Sequence, residues 1–135
     1  MTIAFFVFVI VFGILVLALI NRFSHFQHRS LNTQYFEGQW LELLARVKTP
    51  EGMVLAVIDA DKLLDEALRK RGYSGKTMGE RLVSAQRALS DNDSVWYAHK
   101  LRNRLVHEPN VKLKKNEAQN ALGGFKKGLR DLGAL

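Results

Sequence analysis

The chain contains no cysteine. That removes disulfide staples, thiol nucleophiles and thiolate metal ligands together, and it gives no support to a disulfide-built secreted fold. Proline is nearly absent, with Pro50 and Pro109 the only two in 135 residues, so little interrupts helical runs. No segment alternates apolar and polar residues with the period of two that a half-buried strand needs. There are no internal repeats and no low-complexity tracts. Acidic groups are in short supply: 13 against 20 lysines and arginines, a net charge of +7. The deficit is greatest from Lys100 onward, where Glu108, Glu117 and Asp131 are the only acids. Such a stretch reads as a solvated face near anionic headgroups, or as a polyanion-binding surface.

What is present begins with Ile3 to Ile20, an apolar run without a single charge. As a helix it extends about 27 Å, close to the hydrocarbon thickness of a bilayer. A cleaved signal peptide would show a basic stretch before the run and a small-x-small site after it. Neither is present, Leu17-Ala18-Leu19-Ile20-Asn21 offering no such site. The expectation is a transmembrane anchor over 1–20, a juxtamembrane linker over 21–32 and one helical domain over 33–135. Arg22 and Arg29 follow the apolar run, and the positive-inside rule then places the C-terminal domain in the cytoplasm of a single-pass cell-membrane protein. The lipid bilayer is its first expected partner. Phe23 and Phe26, among basic residues, suggest an interfacial segment.

The rest reads as all-α, a compact antiparallel bundle of four to five helices. Tyr35, Phe36, Trp40, Leu43, Leu44 and Val47 recur at helical spacing and predict a helix over 33–47. Thr49 and Pro50 are suited to cap and begin the next, which should run to about Lys70 and end at Gly72. Gly75-Lys76-Thr77 resembles the end of a phosphate loop, but Lys70 occupies the place of its first glycine and no strand precedes it. Thr77 and Glu80 instead have capping-box spacing, opening a helix to about Leu89. A fourth helix should start near Val95 and end at His107, because Pro109 disfavours helical geometry at Glu108. The last is expected over 114–132, with Gly123 and Gly124 explained by close packing.

The fourth helix carries the residues of chemical interest: Ala98-His99-Lys100-Leu101-Arg102-Asn103-Arg104-Leu105-Val106-His107. Residues four apart share a helix face, so His99, Asn103 and His107 form one stripe and Arg102 flanks it. A fixed cation beside an imidazole and an amide is able to hold a phosphate and move a proton near pH 7. His99 and His107 lie about 12 Å apart along a helix, too far to share a metal ion. No HExxH, cysteine pair or EF-hand loop compensates, so neither a metal nor another cofactor is expected.

Arg102-Asn103-x-x-x-His107 resembles the RNxxxH form of the signature of the HEPN superfamily. The resemblance covers roughly residues 33–132 in helix order, and only this motif is sharp. It implies a small antiparallel helical bundle, often dimeric, in a family whose members include metal-independent endoribonucleases, nucleotide binders and inactive partners. Carried over residue by residue, it makes His107 the general acid or base, Arg102 the stabiliser of charge on the phosphorane, and Asn103 the residue that orients either. His99, Lys100 and Arg104 would then line the RNA-binding cleft of a homodimer. The competing reading pairs Arg102 with Asp59, Asp61 or Asp65 and leaves His107 to close the helix end, in a membrane-tethered module that binds or assembles with a protein partner. A third reading makes Arg102 the anion contact of a nucleotide sensor. Trp96 reads as core rather than as a base-stacking platform.

Overall fold

In the computed structural model, residues 2–24 and 30–135 are described, and among them every regular element is a helix. The first, α1, spans Thr2–Ser24. It continues past the apolar run because no glycine or proline stops it at Ile20. Its stretch Ile3–Asn21 is long and apolar enough to cross a membrane, and none of it is buried against the protein. The linker reading of 21–32 falls partly on 25–29, which lie outside the described residues.

Five helices form the bundle: α2 (Thr33–Leu44), α3 (Pro50–Arg71), α4 (Met78–Ser84), α5 (Asn92–His107) and α6 (Lys115–Asp131). Their ends follow local chemistry. The Asn32 side chain accepts from Tyr35 N at the start of α2. Thr49 accepts from Gly52 N with Pro50 at the first turn of α3, and Gly72, at φ 92°, closes that helix in the left-handed region. At α5 the cap is Asp91, whose carboxylate takes the Ser94 N–H, so the helix starts three residues before Val95. It ends at His107 as expected, with Glu108 extended before Pro109.

Two helices are shorter than their apolar spacing predicts. α2 stops at Leu44, and Arg46 N and Val47 N bond to Leu43 O and Leu44 O in tighter three-residue turns. The backbone of Arg46 lies against Gly52, where a Cβ would collide with the Arg46 carbonyl, so the chain must tighten there to begin α3. α4 stops at Ser84, yet Ala85 and Leu89 stay buried, because a tightened turn still delivers them to the core. At its start Thr77 accepts from Glu80 N, but Glu80 reaches back to Lys76 N, one residue before the cap.

The central helix is α3, which packs against α2, α4, α5 and α6. Arg46 with Asp59 and Tyr35 with Glu66 set α2 antiparallel to it. Lys127 with Asp91, and Asp131 with Ser90, set α5 and α6 antiparallel to each other. α4 is clamped to α3 by Arg81, which forks onto Asp65 at 2.7 and 3.0 Å and donates to Gly75 O. The core collects Phe36, Leu64, Leu68, Leu82, Val95, Phe125 and Leu129, all fully buried. Each such side chain contributes about 1.5–3 kcal/mol by leaving water. Trp40 is buried too, and Trp96 packs against the core, as expected of it.

Candidate functional site

The motif helix α5 lies with its inner face on α3 and α6. Buried Val95, Ala98 and Leu101 make that contact, and the same register turns His99 and part of Arg102 toward α3. There they meet Asp61, a carboxylate with only 2% of its surface exposed. A buried carboxylate must be paired or bonded, and here it is both.

Four side chains close a ring. His99 Nδ1 is 2.8 Å from Asp61 Oδ1. His99 Nε2 is 3.4 Å from Asn103 Nδ2. Asn103 Oδ1 accepts from Arg102 Nη1 at 2.9 Å. Arg102 Nε stands 3.2 Å from Asp61 Oδ2, an ion pair whose N–H does not point at the oxygen. The ring is consistent in one arrangement only: Asn103 turns its oxygen to Arg102, its amide nitrogen faces His99 Nε2, and His99 carries its proton on Nδ1, facing Asp61. The tautomer and the amide orientation are set by this network.

The structure therefore unites His99, Arg102 and Asn103 but leaves His107 outside. His107 is exposed in the last turn of α5, and its side chain makes no hydrogen bond among the described residues. Asn103, expected to face His107, bonds back one turn to His99 instead. Lys100 is exposed, and Arg104 is exposed with Glu108 at 3.7 Å. His99 is 8% exposed, with both ring nitrogens engaged within the protein. Trp96 stacks edge-on against it at 5.9 Å.

Asp61 is the member that sequence reasoning reached only as one of three salt-bridge candidates. Its neighbours explain the choice: Asp59 goes to Arg46 and Asp65 to Arg81. On one helix, Asp59 points about 160° away from Asp61, and Asp65 lies one turn beyond Asp61 on nearly the same face, so each acid serves a different neighbour. Among the described residues no group of three histidine, aspartate or glutamate side chains is placed to hold a metal ion.

Elsewhere, the Asp91 carboxyl is held well below the usual carboxylate range, first by Lys127, then by the Ser94 hydroxyl and backbone N–H. The Tyr35 hydroxyl is pushed up by burial and by Glu66, and Lys70 is raised by its bond to Glu66. No family model, curated protein or solved structure matches the chain.

Proposed function

We propose that the chain is a single-pass, bilayer-anchored protein with a HEPN-like helical domain on the cytoplasmic side, acting as a non-catalytic binding or assembly module. One observation carries the reading away from catalysis. Arg102 and Asn103, the groups that would meet a scissile phosphate, are occupied by Asp61, by His99 and by each other. A phosphate approaching Arg102 would compete with the Asp61 carboxylate 3.2 Å from its Nε, and Asp61 is too buried to be solvated if displaced. In this reading the motif locks α5 onto α3. The outer faces of α5 and α6 and the connection between them are left to present Lys100, Lys112, Lys114, Lys115 and Arg130, all exposed, to an acidic partner. The apolar stretch Ile3–Asn21 and the basic residues Arg22 and Arg29 that follow it in the sequence support the orientation.

A second reading, the metal-independent endoribonuclease acting as a homodimer, draws support from His107. Its side chain is exposed and unbonded among the described residues, and Arg102 keeps about a quarter of its side chain open. A partner copy bringing its own motif would then complete the site.

The experiment is RNA cleavage by the full chain in lipid nanodiscs with chelator present, beside Arg102→Ala and His107→Ala. The module reading expects no cleavage, a lowered unfolding midpoint for Arg102→Ala and an unchanged one for His107→Ala. Chelator-resistant cleavage abolished by both substitutions, with His107→Ala still fully folded, would replace it with the ribonuclease reading.

A further inference from the structure

α2 and α6 both lie on α3, and their backbones do not meet. Between them is a narrow slot of about 290 Å³. Its walls are Trp40 and Leu44 of α2, Val47 of the turn that follows it, Met53 of α3, and Ala118 and Leu122 of α6. Lys115, Gln119 and Lys126 stand at its margin, and no acidic side chain lines it.

Three features show a space built to be filled. The first is Gly123, near the middle of α6 and on the slot wall. Glycine is the residue least suited to a helix interior after proline. Its neighbours have reasons to be glycine: a Cβ on Gly124 would stand 2.4 Å from Ser94 O, and one on Gly128 would press on Leu64 and Val95 at 3.3 Å. A Cβ on Gly123 would meet nothing within 4 Å, so nothing inside the chain requires it. The second is the apolar wall itself, where Leu44, Val47 and Met53 are only partly buried by the rest of the chain. The third is charge. Neither Lys115 nor Lys126 has an acidic partner among the described residues, so the slot combines an apolar floor with uncompensated cations.

The dimensions choose the occupant. Trp40 is 5% exposed and Leu122 9%, so the slot presents little open surface. A protein partner needs roughly 800 Å² a side. At about 290 Å³ the slot is at the small end of ligand-binding pockets. We propose that it is a binding site for a small apolar organic anion, of the class of a medium-chain fatty carboxylate. The chain lies between Trp40, Met53 and Leu122, and the carboxylate meets the half-buried Lys126.

Octanoate, with its short chain and single carboxylate, is the probe. It is titrated calorimetrically into the full chain in nanodiscs, with empty nanodiscs as the blank and octylamine as the charge-reversed control. Saturable octanoate binding is expected, with none for octylamine. Gly123→Leu, which fills the slot, should weaken it at least tenfold while the circular dichroism of the fold is kept. Lys126→Gln, a substitution at the slot margin, should weaken it about fivefold and gives an arm that does not depend on repacking. No saturable heat above the blank, equal binding of octylamine, or undiminished binding by both variants would overturn the proposal.

Discussion

Asp61 of α3 and His99 of α5 face each other at 2.8 Å, with side chains only 3% and 10% exposed. The pair sits where the two helices cross and is tied to Asn103 and Arg102 one turn along. A polar ring in such a place costs desolvation and returns it only if every member is bonded. It therefore acts as a register lock: sliding α5 by one residue would leave a buried carboxylate facing apolar side chains.

Removing the acid should be far worse than neutralising it. Asp61→Ala strips partners from both His99 and Arg102 and should cost about 3–5 kcal/mol. Asp61→Asn keeps an acceptor for the His99 N–H and should cost distinctly less. Urea unfolding of both variants measures the difference. A loss below about 1 kcal/mol for Asp61→Ala would remove the ring from any account of how α5 is held.

Arg81 makes the complementary prediction for α4. Its fork onto Asp65 and its bond to Gly75 O involve side chains 11% and 19% exposed. Lysine keeps the charge but not the planar fork, so Arg81→Lys should lose about 1.5–3 kcal/mol, most of it local to α4. Amide hydrogen exchange should quicken over 78–84 before it does over α3. Uniform quickening across the bundle would show that α4 does not open on its own.

The Asp91–Lys127 contact predicts an acid limb. The folded carboxyl titrates below its usual value near 3.8, because Lys127 and Ser94 hold the charged form. A carboxylate depressed on folding contributes stability that is present above the unfolded value and fades as pH falls through the folded one. Wild type should therefore lose stability below about pH 4. Asp91→Asn keeps a capping side chain but cannot titrate, so its curve should be flatter there. Thermal unfolding from pH 2 to pH 6 checks this, and parallel curves for the two proteins would count against the assignment.

Much of this is legible in the sequence. Thr49, Pro50, Gly72 and Pro109 marked helix ends correctly, because caps and breakers act through nearest neighbours in the chain. The early stop of α2 was not legible, since it comes from Gly52 meeting the Arg46 carbonyl, a contact between elements that helical spacing does not encode. At the candidate site, the stripe of His99, Asn103 and His107 was visible as a helix face. What spacing could not decide was which acid of α3 would receive Arg102, because Asp61 and Asp65 lie one turn apart on nearly the same face of α3. The one signal available was that an acid flanked by Ala60 and followed by Leu63 and Leu64 sits on the apolar side.

Gly123 and Gly124 make the sharpest contrast, because adjacent residues of one helix should respond in opposite directions. Both were expected to be packing glycines, and the structure bears that out for Gly124 alone. A methyl on Gly124 would collide with the Ser94 carbonyl at 2.4 Å, and the atom it strikes is backbone at the start of α5 and cannot swing aside. Gly124→Ala should therefore force α5 and α6 apart and cost about 1–3 kcal/mol despite the better helix former. Gly123→Ala meets nothing within 4 Å and should gain up to about 1 kcal/mol from helix propensity. Denaturant midpoints of the two single variants decide the matter. If Gly123→Ala were destabilising instead, the slot between α2 and α6 would have to be narrower in solution than its walls indicate.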